Sequence, residues 1–437
     1  MMQANLETIS NLERRLNFSL PTQDVDGEVS TRLRRLAQTV KMHGFRPGKV
    51  PMKVVEQQYG LQVRQEVLAD RLQKCFGDAV RDNNLRVAGY PKFESKAAGD
   101  GSPMYEYSAT FEIYPDVAVT SIADAEVNRP VLQVSDAEVD KTIEVLRKQR
   151  ATFEPAERAA QNDDLVTVDF SGTIDGQTFQ GGDAKDLQML LGAGRMLPEF
   201  EKAVLGMNAG ETRNFDLTYP ADYHAKEVAG KTAQFALTLK QVQQPKLPPL
   251  DAEFAKTLGV ADGDIEKMRA EVRINVEREV DSRIKARMRE QAFKLLIDKA
   301  TLDIPQSLVE IEMQNLVQSA QRDLEARGVK MKDVPLPADI LKAQAERRVR
   351  LGLILAEVVR ANSLQAKPEQ VREAVEHHAK SFEQPQEVVK WYYSSPERLQ
   401  EFESAVIEQN VVDWVASTAR TQDQPVGFDE LMGKTNA

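Results

Sequence analysis

The sequence predicts a multidomain α+β protein: an α+β domain over residues 1–115, a connector over 116–150, a second α+β domain over 151–243 and an all-α C-terminal domain over 244–437. Three observations carry that division. The chain has 437 residues, which at about 150 per domain leaves room for roughly three. Apolar residues alternate with polar ones in the stretch from Val166 to Leu239, the period of half-buried strands, and recur about every fourth position from Ile265 onward, the period of helices. Proline-rich and glycine-rich breaks lie between the patterns.

The elements follow in order. Asn11 to Leu20 reads as a strand. A helix starts near Asp24, because Val25, Val29, Leu33, Leu36 and Val40 fall on one buried stripe. Gly44, Pro47 and Gly48 break it into a loop, and Pro51 restarts a helix as a first-turn residue. A longer helix is expected over about 62–84, and Met104 to Val119 reads as one extended strand. The connector holds one short helix, capped at Ser135 with Glu138 three residues on.

In 151–243, Val166, Val168 and Phe170 alternate, as do Phe235, Leu237 and Leu239. Asp175-Gly176 is a hairpin turn signal, and one short helix fits near Pro198 to Val204. Pro245, Pro248 and Pro249 form a stiff junction. Beyond it, Ile265, Met268, Val272, Val276, Val280, Ile284 and Met288 predict one helix over about 264–300, on the order of 55 Å long. Pro305 opens a second helix and Gly328 closes it; others are expected over about 338–363, 368–382 and 396–420.

Charge and cysteine content narrow the function. Lysine plus arginine number 57 and aspartate plus glutamate 68, a net charge of −11, which argues against a general nucleic-acid coat. Yet residues 31–53 hold seven cations (Arg32, Arg34, Arg35, Lys41, Arg46, Lys49 and Lys53) and no acid. Such a patch on an acidic chain selects a polyanionic partner. Cys75 stands alone, so no intrachain disulfide is expected, which fits a reducing compartment. With neither a signal-peptide pattern nor a run of about 20 apolar residues, a cytoplasmic protein with no membrane partner is expected.

The octet Gly44-Phe45-Arg46-Pro47-Gly48-Lys49-Val50-Pro51 packs two glycines and two prolines into a tight projecting loop. Its phenylalanine suits an apolar pocket on a partner, and Arg46 and Lys49 suit carboxylates or phosphates. By chemistry alone it also reads as a basic surface loop joining two helices. The octet resembles the ribosome-docking signature of the trigger factor family, Gly-Phe-Arg-x-Gly-Lys-x-Pro, at every fixed position. The resemblance makes Gly44, Phe45, Arg46, Pro47, Gly48 and Lys49 the ribosome-binding residues, beside the peptide exit of the large subunit. Arg32, Arg35 and Lys41 follow from local charge as further contacts to ribosomal RNA.

A second constellation runs through 151–243. Val168-Asp169-Phe170-Ser171-Gly172, Gly176, Phe179, Leu191-Gly192, Met196-Leu197, Phe200, Tyr223 and Phe235 resemble the FKBP-type prolyl isomerases in the same order. The reaction needs no acid, base, metal or cofactor. Its barrier of about 20 kcal/mol comes from amide resonance, and a dry aromatic pocket weakens that resonance by failing to solvate the planar polar form. The resemblance implies that Phe170, Phe179, Met196, Leu197, Phe200, Tyr223 and Phe235 line the proline pocket. Read without it, the same residues are the core of a small β domain, although Tyr223, in the polar stretch Pro220 to His224, fits a core poorly. Phe200 stands where small single-domain members carry tryptophan, and Gln180 where they carry an acid.

The ending Phe428-Asp429-Glu430-Leu431-Met432 resembles the Phe-x-Glu-Leu-Met terminus of trigger factors. The resemblance implies an ATP-independent chaperone that holds nascent and unfolded polypeptides in a cradle of helical arms, and a weak homodimer off the ribosome. Most stripe residues of those helices are expected to pack on each other, with Met288, Met313 and Met331 as adaptable contacts. Adjacent His377 and His378 point about 100° apart on a helix and make a poor metal pair. Gly192-Ala193-Gly194 lacks the rest of a phosphate loop. Two rivals stay open: a dedicated prolyl isomerase that its other domains merely target, and an assembly protein that never meets the ribosome.

Overall fold

A computed structural model describes residues 4–43, 45, 48–96, 104–221, 223, 225, 227–326, 328, 338–382 and 384–433. In chain order the elements are β1 (Ala4–Thr8), β2 (Glu13–Pro21), α1 (Thr22–Thr39), α2 (Met52–Asp82), β3 (Val87–Ser95), β4 (Met104–Ile113), β5 (Ala118–Val119), β6 (Glu126–Val131), α3 (Asp136–Gln149), β7 (Thr152–Pro155), β8 (Leu165–Ile174) and β9 (Gln177–Leu190). There follow α4 (Pro198–Val204), β10 (Thr212–Thr218), β11 (Thr232–Lys246), α5 (Ala252–Thr257), α6 (Ile265–Lys299), β12 (Ala300–Thr301), α7 (Gln306–Ala326), α8 (Ala338–Asn362), α9 (Pro368–Ala379), α10 (Pro385–Tyr393), α11 (Pro396–Thr418), β13 (Arg420–Pro425) and α12 (Phe428–Leu431). They form two compact units, each built from two stretches of chain.

The first unit comprises Met1–Arg129 and Ala286–Gln424. Its sheet has the antiparallel order β1-β2-β4-β3. Leu16, Phe18 and Leu20 alternate on β2 and bury against Ala109 and Phe111 of β4 and Leu72 and Ala79 of α2. The other half of α2 meets α1: Val25, Val29, Leu33 and Ala37 pack on Val55, Val63 and Val67. Arg71 and Glu28 pair across the two helices, and Arg32 reaches Asp70 at 2.7 Å.

Farther along the unit, the Glu112 carboxylate of β4 accepts the N–H groups of Gln306 (3.1 Å) and Ser307 (2.7 Å), which open α7. These are first-turn donors that a helix cannot satisfy internally. The Ser307 hydroxyl donates to the Ala88 carbonyl at 2.9 Å. Gly89 permits the approach, since a Cβ there would lie 2.5 Å from that of Ser307. Helix α7 then packs on α8 through Val309, Leu316 and Ala345, with Met313 beside them. Helices α9, α10 and α11 bury Val371, Val375 and Val406 with Val389, Tyr392 and Phe402.

The second unit comprises Pro130–Lys285 and Pro425–Ala437. Its sheet has the order β10-β11-β8-β9, with β7 paired to the far end of β11. Helix α4 packs on that sheet around Phe200 and Val204. A separate core joins Val139 and Ile143 of α3, Phe254 of α5, Met268, Val272, Val276 and Val280 of α6, and Leu431 of α12. The cap on α3 is a full box, with Ser135 and Glu138 bonding reciprocally. Helix α6 gives residues 265–285 to this unit and 286–299 to the other.

Five expectations need correction. The two helices expected after Pro51 are one, α2, because Val55, Val63 and Val67 continue a single stripe. The strand from Met104 to Val119 ends at Ile113, with Pro115 following, and resumes only as the two-residue β5. Strand β6 lies inside the connector and pairs with β13. Strand β11 runs past Leu239 through Pro245, which faces Phe153 of the edge strand β7. Between the helices expected over 368–382 and 396–420 there is another, α10. Met288 is buried; Met331 lies outside the described residues. Among the described residues, no helix is long and apolar enough to cross a membrane.

Candidate functional site

Four rings of the second unit meet Phe235, and two tyrosines extend the cluster. On β11, Phe235 lies against Phe170 of β8 (5.8 Å between centroids), Phe179 of β9 (6.2 Å), Phe200 of α4 (5.9 Å) and Phe215 of β10, stacked at 5.7 Å. Phe170 and Phe200 close the ring at 5.2 Å. Tyr219, which follows β10, meets Phe179 at 6.3 Å and Tyr223 at 4.8 Å. These geometries are largely edge-to-face, the arrangement that aligns ring edges with π faces.

Burial divides the group. Phe200 and Phe235 are 3% and 4% exposed and form a floor. Phe170, Phe179, Met196, Leu197 and Tyr223 are half-buried, packed against that core with part of each side chain open. The structure thus brings together all seven residues expected in the pocket. Phe215 and Tyr219 belong to the same cluster and were not among them. The period-two run Phe215, Leu217, Tyr219 was the signal available.

Local backbone explains how the rings fit. Gly172 pairs across from Phe235, and a Cβ there would lie 2.4 Å from the Phe235 ring. At Gly182 a Cβ would come within 2.9 Å of the Phe179 ring. Both glycines are spaces into which a ring is laid. Beside Phe170, β9 bulges: Asp186, in the left-handed region at φ 54°, donates its N–H to Asp169 at 2.7 Å. Lys240 bonds Asp186 at 2.5 Å and Asp169 at 3.1 Å. The Asp186 N–H first, and Lys240 after it, hold the Asp169 carboxyl below its usual range. Burial first, then Tyr223, pushes the Tyr219 phenol up, so it keeps its proton near neutrality. None of the seven expected pocket residues carries a carboxylate or imidazole, and among the described residues no cluster of His, Cys, Asp and Glu could hold a metal.

The Gly44–Pro51 octet lies between α1 and α2 in the chain. Gly44, Arg46 and Pro47 lie outside the described residues, as does His224 of the second unit. The loop is rooted at both ends: Met42 packs on the α1–α2 core, and Val50 is 7% exposed within it. Phe45 donates its N–H to the Met42 carbonyl at 3.1 Å, and the residue is 39% exposed. Gly48 takes φ 79°, which suits glycine. Lys49, Arg35 and Lys41 are exposed and form no ion pair among the described residues, whereas Arg32 is held by Glu28 and Asp70. In the helical part, Phe382 (47% exposed), Val388, Trp391 (54%) and Tyr392 line an open groove of about 1030 Å³. Sequence periodicity did not single these residues out.

Family models match all three segments. Residues 2–146 match the bacterial trigger factor protein, residues 156–240 the FKBP-type peptidyl-prolyl cis-trans isomerase and residues 264–417 the bacterial trigger factor C-terminus. The trigger factor of Thiobacillus denitrificans is 52% identical over 433 residues, 99% of this chain and 100% of its own length.

The chain belongs to the trigger factor family.

The trigger factor of Nitrosospira multiformis is likewise 52% identical, over 435 residues. A solved trigger factor chaperone structure aligns with 95% of this chain and 99% of its own, at 19% identity and a TM-score of 0.48. The protein is therefore a trigger factor chaperone carrying an FKBP-type peptidyl-prolyl isomerase domain, in the family's three-part architecture. Family membership implies binding to the ribosome and to nascent polypeptides.

Proposed function

We propose that the half-buried rings over Phe200 and Phe235 are the site at which X–Pro bonds turn. The observation that carries this is the convergence of Phe170, Phe179, Met196, Leu197 and Tyr223 on a floor of two buried phenylalanines. A prolyl ring seated there loses water around its amide, and the twisted, less polar form of that amide loses less. No bond is made or broken, so the site needs shape and dryness rather than proton transfer. Prolyl exchange measured by NMR in the full chain is the test: Phe200→Ala should lower kcat/KM by at least about tenfold. Unchanged kcat/KM would refute the site.

We further infer that Phe45, with Gly44, Arg46, Pro47, Gly48 and Lys49, docks beside the peptide exit of the large subunit, and that Arg35 and Lys41 meet ribosomal RNA. The anchored stem and exposed ring support this reading. Clients are held by the helical half, where exposed aromatics such as Trp391 offer apolar contact without ATP. In this reading residues 1–115 bind the ribosome, 116–150 connect, 151–243 isomerise and 244–437 hold clients, in the cytoplasm and as a weak dimer off the ribosome. Co-sedimentation with bacterial ribosomes tests docking. Phe45→Ala with Arg46→Ala should abolish binding that the unmodified chain retains at moderate salt.

A further inference from the structure

We propose that Glu201 is a positioning residue of the isomerase reaction, tying down the rim that carries Met196 and Leu197. The inference rests on the pocket proposed above.

The rim is the segment from Leu191 to Leu197, between β9 and α4. Its start is fixed: Leu191 is fully buried and donates its N–H to the Asp164 carbonyl at 2.9 Å. Its end is fixed by the first turn of α4, where the Leu197 carbonyl accepts from Phe200 (2.9 Å) and Glu201 (3.2 Å). Between them the chain is poorly held. Gly192 and Gly194 sit at φ 80° and 65°, and Gly192 to Arg195 are exposed. Among the described residues, one hydrogen bond reaches the backbone from Gly192 to Met196: the Gly192 N–H donates to Glu201 Oε2 at 3.1 Å. Glu201 thus holds both ends of the rim, Gly192 with its side chain and Leu197 with its backbone.

The other carboxylate oxygen makes the case sharper. Oε1 of Glu201 is buried without a hydrogen-bond partner among the described residues. Leaving such an oxygen dry is unfavourable, and stability alone gives no reason for it. What the arrangement provides is a charge-assisted bond, stronger than a neutral one, at the one polar anchor the rim has among the described residues. The anchor follows directly after Phe200, so one helical turn carries both the pocket floor and the tie to its rim. Met196 and Leu197 then keep one position over the floor while the peptide rotates, and pre-set geometry is what a reaction without proton transfer can use.

The test uses the full chain and three variants, Glu201→Ala, Glu201→Gln and Phe200→Ala, with kcat and KM for a proline tetrapeptide resolved separately and hydrogen exchange followed at Gly192. Glu201→Ala should lower kcat/KM by about tenfold, chiefly through KM, and speed Gly192 exchange, with the domain still folded. Glu201→Gln, whose amide oxygen can accept the same N–H, should recover most of both. If Phe200→Ala abolishes catalysis but Glu201→Ala leaves kcat/KM intact, the positioning role is overturned and the pocket stands. If Glu201→Ala and Glu201→Gln lose activity equally and only as the domain melts, Glu201 is structural and the proposal fails. Full activity in Phe200→Ala would remove the pocket, and the positioning role with it.

Discussion

Phe235 and Phe45 are the same residue used in opposite ways. Phe235 touches four other rings, is 4% exposed and has a glycine set opposite it to make room. Phe45 is 39% exposed, between Met42 and Val50, which pack in the α1–α2 core. One ring belongs to the fold, buried beneath the half-buried rings of the cluster. The other contributes little to the core, so a substitution there should tell whether it serves a partner. If the proposed roles hold, function at the aromatic cluster should be inseparable from stability, and function at the loop separable from it.

Substitutions can break that contrast. The largest effect is expected at Phe235→Ala, which should destabilise the isomerase domain by about 3–5 kcal/mol and abolish its activity, read by calorimetry and prolyl exchange. Gly172→Ala should come next. Its Cβ must push the Phe235 ring aside, an overpacking cost of about 1–3 kcal/mol, with kcat/KM falling alongside the melting temperature. Phe45→Ala should shift stability by no more than about 0.5 kcal/mol while removing ribosome binding. A Phe45→Ala protein that melts early would show the loop to be structural and end the comparison.

The smallest effect should come from acid. Arg71 first, and Arg32 after it, hold the Glu28 carboxyl below its ordinary value of 4.5. A depressed carboxyl stabilises the fold above that ordinary value, and the contribution is lost as pH falls through the depressed one. Packing of α1 on α2 should loosen below about pH 4.5, seen as faster hydrogen exchange in both helices, and Glu28→Gln should remove that dependence. Loosening that persists unchanged in Glu28→Gln would assign it to another group.

What the sequence made legible follows the range of the interactions. Helix α4 falls at Pro198–Val204 as expected, and Asp175 and Gly176 both take positive φ at the β8–β9 hairpin. These are signals written within a few residues. Strand β6 was not foreseen because its partner β13 comes from the far end of the chain and its buried positions, Val127 and Pro130, lack the period of two. Helix α10 is nine residues with no buried position, too short and too exposed for a stripe. At the aromatic cluster, resemblance supplied Phe170 to Phe235. The period-two run Phe215, Leu217, Tyr219 shows alternation, but placing Phe215 against Phe235 takes the β10–β11 register. Nothing in the sequence marked Glu201, whose interest lies in an oxygen without a partner.

The contact of Glu112 with the start of α7 joins residues 194 and 195 positions apart. Synthesis imposes a schedule on such a bond. The strands from 165 to 246 can close their sheet once they have emerged, whereas the unit holding Met1–Arg129 waits for Ala286–Gln424. Chains truncated near residue 260 and released should contain a protease-resistant isomerase domain beside an N-terminal part whose Gly89 and Glu112 still face water, and equal protection of both would refute this order. Until α7 is made, a protein that shelters unfinished chains is itself one of them.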